Sequence, residues 1–430
     1  MTHTERRTTR ERSRGRITVR AAPAAIAFAI ALLVAACGDS TRPGPGDDST
    51  RDLSARALAA GLAPMPTEPP HPVDNQYDAN RVELGHLLFF DPILSGPQNV
   101  ACSTCHLPSF AFADGRQFPS GAGATGLGPA RTLPGPPPLR EMPRNSPTVM
   151  NVGLFGRMSP DASTTAAMFW GASAFGLEDQ VLNPIAADNE LRGLTYSKVD
   201  ARDSVLSRLR GIPEYVQLFA AAFPAMSAAT PEEIVNTTTL RRAIAAYLRE
   251  LTTPHAPIDE YLAGDDDALT ATQKAGLELF IGKAGCVACH SGPLLSDFTP
   301  HVLGTPQTGL GRDTTPGDDI GWGEHGGTPY AFRTPQLRQV ALTAPYFHAG
   351  TAPTLRDVVR FKNAGVSGYA RVSPTMLDPD FRPLGLSEEE IGEIVAFLDA
   401  LTDSVTTRGP PFLAPERVPS GLPIPGGEDP

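Results

Sequence analysis

Cys102-Ser103-Thr104-Cys105-His106 and Cys286-Val287-Ala288-Cys289-His290 decide how this chain is read. C-x-x-C-H is the attachment signature of c-type haem. Two thiols one helical turn apart can add to the two vinyl groups of one haem, and the histidine that follows presents its imidazole to the iron as proximal ligand. A thioredoxin-like C-x-x-C accounts for the cysteines but leaves the histidine after both copies unexplained. A shared zinc site could use two such pairs, but their wide separation, Cys102 against Cys286, favours two separate cofactors. Cys102, Cys105, His106, Cys286, Cys289 and His290 are therefore read as holding two covalently bound haems c, with His106 and His290 on the iron.

Each haem needs a small helical envelope, and one motif lies near the start of each half. The expected fold is all-α and loop-rich, with two cytochrome c-like domains at 76–262 and 263–405. Glycine (41) and proline (44) in 430 residues exceed the roughly 12% of average usage, as loops require. Thr270-x-x-Gln273 is a capping box opening a helix to Phe280. Residues 231–251, with Pro231 and acids at their start, have apolar positions at helical spacing. Ser387-x-x-Glu390 opens a last amphipathic helix to about Leu401. No strand run stands out, nor any internal repeat beyond the haem motifs. Residues 406–430 are Pro-rich and read as a surface tail.

Residues 1–20 carry seven arginines, and Ala21 to Ala36 is almost wholly apolar before stopping at Cys37. That is a secretory signal, too short for a good membrane span. Leu33-Val34-Ala35-Ala36-Cys37 resembles a bacterial lipobox, which would put a lipid on Cys37; an ordinary signal peptide is the alternative. Residues 1–36 are read as the leader and 37–75 as a flexible tether. Removing the seven basic and two acidic residues of the leader takes the net charge from −11 to −16. Such a field argues against nucleic acid as a partner and would steer a basic redox protein, although plain solubility explains it equally. The expected location is the periplasm or cell envelope, with membrane contact through the lipid alone.

The chain resembles the bacterial di-haem cytochrome c peroxidases, including their MauG-type branch, over roughly residues 80–403. In the first half the carriers are Val82-Glu83-Leu84-Gly85, Leu88-Phe89-Phe90-Asp91, Phe112-Ala113-Asp114-Gly115-Arg116, Arg144-Asn145-Ser146-Pro147-Thr148, Phe169-Trp170, Leu177-Glu178-Asp179-Gln180 and Asn183-Pro184. In the second they are Phe332-Arg333-Thr334-Pro335-Gln336-Leu337-Arg338 and Ala344-Pro345-Tyr346-Phe347-His348. The resemblance implies reduction of hydrogen peroxide at the first haem, with electrons from a small periplasmic cytochrome c or copper protein. A homodimer is one assembly it allows. Two rivals are a MauG-type enzyme oxidising a protein side chain and a di-haem electron carrier with a vestigial peroxide site.

When the family's pattern is counted from Trp170, the glutamine, proline and glutamate of its peroxide site fall on Gln180, Pro184 and Glu190. A carboxylate can carry a proton from the inner to the outer peroxide oxygen, and an amide can orient the peroxide. Trp170 is expected between the haems, supporting electron transfer. Gly171-Ala172-Ser173 replaces the family's Asp-Gly-Arg, so any charge pairing by those two residues is expected to be absent. By resemblance, Asn145 and the carbonyls of Thr343 and Pro345 would hold a calcium ion, whose preference is for oxygen ligands. His348 and His301 would bond the propionates of the second haem or its neighbours. No histidine lies between Leu107 and Arg144, so the first haem is expected to be open to peroxide in the resting state. Counted from His348, the position of the second haem's usual methionine or tyrosine is taken by Lys362. Lys362 could ligate iron as a neutral amine or pair with a propionate, Met376 could ligate instead, or the second haem could have no strong sixth ligand.

Overall fold

Two helix pairs carry the architecture, and each closes on a glycine. The computed structural model describes residues 48–134, 139–156, 166–226, 229–308, 311–312, 315–316 and 318–426; Cys37 and the leader lie outside them. Helix Ala79–Phe90, capped by the Asp78 carboxylate, packs on helix Thr237–Glu250. A Cβ on Gly85 would lie 2.0 Å from the Ala243 carbonyl oxygen and 2.8 Å from the Tyr247 Cβ. Helix Ala271–Ile281 packs on Glu388–Asp399 in the same way, with Gly276 2.0 Å from the Glu393 oxygen and 2.8 Å from the Phe397 Cβ. Only glycine permits that approach. This is a structural repeat beyond the haem motifs, which the sequence reading missed because only a glycine and a nearby phenylalanine mark it.

Burial sorts into two large apolar clusters and a small third one around Val302, Ala331 and Val372. One of the large pair collects Leu84, Leu88, Phe89, Tyr215, Phe219, Ile244 and Tyr247; the other collects Leu277, Phe280, Ile391, Ile394 and Phe397. Ala256, Ile258, Tyr261 and Leu262 pack in the second cluster, so the passage between cores falls before the boundary expected at 262/263. Part of the expected tether is ordered. Residues Asp48–Ala59 form a helix, and Leu53, Ala57 and Leu62 are buried in the second core. The Pro-rich tail is likewise more than surface. Phe412 and Val418 enter the first core, Tyr247 donates to the Pro411 carbonyl at 3.0 Å, and Ser420 donates to Asp91 at 2.7 Å. Composition announces neither strap, because a few apolar anchors in polar, Pro-rich chain suffice.

The helices expected at 271–280 and 388–401 form as Ala271–Ile281 and Glu388–Asp399, both with capping boxes. The 231–251 stretch instead breaks into Pro231–Ile234 and Thr237–Glu250. Asn236 ends the first piece and caps the second, accepting from Thr238 and Thr239 N–H groups. Antiparallel strand pairs also occur: Ala167–Met168 with Ala174–Phe175, Pro300–Val302 with Ala331–Arg333, and Gly311–Arg312 with Thr315–Pro316. At two or three residues each they leave no periodicity to read, and the fold stays mostly helical. Among the described residues no helix is long and apolar enough to cross a membrane.

Candidate active site

Both C-x-x-C-H motifs fold as a 3₁₀ turn, Cys102–Thr104 and Cys286–Ala288, and both fix the histidine in the same way. His106 N–H donates to the Cys102 carbonyl at 3.1 Å and its Nδ1–H to the Phe112 carbonyl at 3.0 Å. His290 does so with Cys286 at 2.9 Å and Leu295 at 2.8 Å. A carbonyl only accepts, so Nδ1 carries the proton and Nε2 keeps its lone pair for a metal. Burial lowers the pKa of both imidazoles, His290 to about 4, which favours the neutral ligating form.

The four cysteines are free thiols. Burial pushes Cys102 and Cys105 up to about 12 and Cys286 and Cys289 to about 11. Thiol–disulfide exchange needs a ready thiolate, which these sites disfavour. Among the described residues, the side chains close enough to share a metal ion are Cys289, Asp297 and His301, so the two motifs do not build one zinc site. A cavity of about 960 Å³ runs along both motifs, at the upper end of the ~300–1,000 Å³ of cofactor sites. Paired thiols, a tautomer-fixed histidine and this space fit a c-type haem at each motif.

Gln180, Pro184 and Glu190 line the cavity beside Cys102, Cys105 and His106. Gln180 ends the short helix Leu177–Gln180, and Pro184 lies in Asn183–Ala186. The Leu191 N–H bonds the Pro184 carbonyl at 3.1 Å, and the Ala122 N–H bonds the Glu190 carbonyl at 2.7 Å. Gly121 makes that contact possible, since its Cβ would fall 2.2 Å from the Glu190 oxygen. The Glu190 carboxylate is near enough to raise both Cys102 and Cys105. The Gln180 amide has no protein hydrogen-bond partner among the described residues. The histidines lining the cavity are His106, His290, His301 and His348, and Met142 is the thioether on the 107–144 segment.

Trp170 joins the two halves. Its Nε1–H donates to the Asn145 carbonyl at 2.9 Å, and its own carbonyl accepts from the Arg333 N–H at 2.8 Å. Beside Gly171 lies a charge pair drawn from distant parts of the chain. Arg144 makes two hydrogen bonds to Asp319, at 2.7 and 2.6 Å, and approaches Glu324 at 3.6 Å. Burial alone would raise the Asp319 carboxyl, but its bonds from Arg144 hold it below the ordinary range. Gly171 provides the room, since a Cβ there would lie 2.8 Å from the Arg144 Nη1. Sequence reasoning missed Asp319, which stands far along the chain from Arg144; a glycine in place of the aspartate was the only local signal. Asn145, Thr343 and Pro345 line the same cavity. The Asn145 amide nitrogen donates to the Arg116 carbonyl at 2.7 Å, and its side-chain oxygen has no protein partner among the described residues.

In the second half, His348 is buried and stacked on Phe332, with centroids 3.6 Å apart. Its Nδ1 lies 3.2 Å from the Thr305 hydroxyl, and its buried Nε2 has no partner among the described residues. His301 bonds neighbouring carboxylates. Nδ1 bonds Asp378 at 2.6 Å and Nε2 bonds Asp297 at 2.8 Å, so both nitrogens are taken by neighbouring carboxylates. The Asp297 bond chiefly raises His301 to about 9. Lys362, on helix Leu355–Ala364, lines the cavity with His290. Burial draws its ammonium down to about 8. Met376 lies instead in a separate cluster with Trp322, Tyr330 and Tyr369. Other histidines serve locally, His86 bonding the Leu413 carbonyl and His255 facing Glu260.

Comparison with known proteins gives the same reading. The profile of the di-haem cytochrome c peroxidase family matches residues 79–267. The chain is 33% identical over 386 residues to the methylamine utilization protein MauG of Methylorubrum extorquens, covering 88% of this chain and 94% of that one. It is 35% identical over 378 residues to the cytochrome-c peroxidase IdrP1 of Denitromonas iodatirespirans, covering 81% and 89%. Among solved structures, a MauG-like protein associated with microbial copper homeostasis superposes with a TM-score of 0.67 at 29% identity, over 82% of this chain and 99% of that one. With paired attachment motifs, tautomer-fixed histidines and these relatives in agreement, this chain belongs to the di-haem cytochrome c peroxidase family.

Proposed function

We propose that this peroxidase reduces hydrogen peroxide to water at its first motif, drawing two electrons from a small periplasmic redox protein through its second. The observation that carries the reading is Glu190 close to Cys102 and Cys105, in the lining of a cavity that also takes in His106, Gln180 and Pro184. A haem bound at His106 supplies the iron chemistry that cleaves the O–O bond. Glu190 takes a proton from the inner peroxide oxygen and returns it to the outer one, so that water can leave. Gln180, whose amide no described protein group engages, orients the peroxide. Trp170 supports electron passage, since it is hydrogen-bonded to Asn145 in one half and to Arg333 in the other. Asn145, with the Thr343 and Pro345 carbonyls, holds a calcium ion between the halves, consistent with the unpartnered Asn145 oxygen. A lipidated Cys37 tethers the enzyme to the membrane on its periplasmic face.

No histidine lies between Leu107 and Arg144, so the first haem accepts peroxide in the fully oxidised enzyme. Rapid mixing of oxidised protein, carrying two covalent haems per chain, with stoichiometric peroxide is expected to change the spectrum at once. Inertness until one haem is reduced would refute the open site. That same open site favours a second reading, in which the oxidising equivalents are spent on a protein side chain. Steady-state turnover with cytochrome and copper-protein donors separates the two.

A further inference from the structure

We infer that the Lys362 amine is the sixth ligand of the haem iron whose fifth ligand is His290. The inference rests on the two-haem reading of the family and is independent of the electron donor. Four lysines stand among 36 basic residues. Lys283 is paired with Glu390 at 2.7 Å, and Lys274 lies over the Tyr261 ring. Lys198 is exposed and meets the cavity from the first half of the chain. Lys362 is the lysine that lines it from the second half, with His290, Cys286 and Cys289.

Its backbone is fixed. Thr354 caps the helix, Asn363 bonds Leu386 in both directions at 2.8 and 3.0 Å, and the helix ends at Gly365 against Arg382. Among the described residues no carboxylate pairs with the amine. The acid that acts on it, Asp378, is committed to His301 at 2.6 Å. Its neighbour within reach is the Phe381 ring, 5.7 Å from Nζ and stacked on Phe361. A primary amine held in the cavity lining with no carboxylate partner among the described residues is a nitrogen donor.

The rival donors of this half are occupied or elsewhere. Both nitrogens of His301 hold carboxylates, and the Tyr346 hydroxyl donates to the Val340 carbonyl at 3.0 Å. His348 keeps an unpartnered Nε2, but its ring is stacked on Phe332 beside Thr305, Arg144 and Asp319, whereas Lys362 is the nitrogen donor whose charge acts on His290. Met376 belongs to the Trp322 cluster. Methionine ligation raises a haem's reduction potential, so an amine in its place holds the second haem further toward the oxidised state.

The test uses holoprotein with two haems per chain, followed by electron paramagnetic resonance and near-infrared magnetic circular dichroism. Lys362→Ala is expected to abolish the low-spin signal of the second haem and leave that of the first unchanged. Lys362→Met is expected to retain a low-spin second haem with altered g-values and a higher midpoint potential. An unchanged low-spin signal in Lys362→Ala would overturn the assignment, as would a shifted potential without a change of spin state, the signature of a propionate ion pair. If Lys362→Ala fails to load haem, unchanged g-values in Lys362→Met overturn it equally.

Discussion

Gly85 and Gly276 stand in the same relation to their partner helices, each 2.0 Å (as a notional Cβ) from a carbonyl oxygen and 2.8 Å from an aromatic residue's Cβ. His106 and His290 each give Nδ1–H to a backbone carbonyl a few residues on. The attachment of cofactor is thus one device used twice. The facing walls differ. The first half presents a carboxylate and an unengaged amide, Glu190 and Gln180; the second presents an amine amid aromatic rings, Lys362 with Phe381 and Phe361. On the proposed function, a cofactor held alike at both motifs serves as a peroxide site or an electron site according to which of these side chains share its part of the cavity.

The sharpest way to break this comparison is to remove the proton carrier from the first wall. Glu190→Gln keeps shape and hydrogen bonding but cannot relay a proton. Peroxide turnover should fall by about 10²–10³-fold, within the range of general acid–base contributions, while the spectrum of the second haem stays as it was. A fall below tenfold would mean that another group carries the proton.

Next in size is the joint between the halves. Asp319→Ala leaves buried Arg144 with the longer contact to Glu324, and breaking a buried pair costs about 3–5 kcal/mol. Chemical denaturation should show that loss, with Asp319→Glu recovering part of it. A change below about 1 kcal/mol would put the weight on Glu324 instead.

What could be read in the sequence was whatever is local or spaced by a rigid element. The attachment motifs and the capping boxes at Thr270 and Ser387 are of that kind, whereas Gln180 and Glu190 were placed by resemblance. The misreadings involve long-range closure. Arg144 meets Asp319 from a distant part of the chain, and Phe412 enters a core built from residues 65–251 with a few from beyond. His301, expected to bond a propionate or its neighbours, has both nitrogens on carboxylates, one from Asp297 nearby in sequence and one from Asp378 far from it. Two-residue strands and single-residue anchors carry too little pattern to register.

His301 also supplies the smallest of these effects, one confined to the second half. Its hydrogen bonds, above all that to Asp297, raise its pKa from the ordinary value to about 9. The folded state therefore binds the proton more tightly than the unfolded chain, where the pKa is about 6.5. This contribution is complete below pH 6.5, declines between 6.5 and 9, and is gone above. On the acid side, burial raises Asp297 but the bonds from His301 and Thr299 outweigh it and hold the carboxyl below its usual range, so that contribution is lost only as pH falls well under 4. Solvent screening at the rim reduces the alkaline term to on the order of 1–2 kcal/mol. Denaturation of wild type at pH 6.5 and 9.5 should show this loss, and Asp297→Asn should show a smaller one. Parallel behaviour of the two proteins would mean that the carboxylate–imidazole–carboxylate chain adds nothing to stability, leaving second-half asymmetry to Lys362 and its rings.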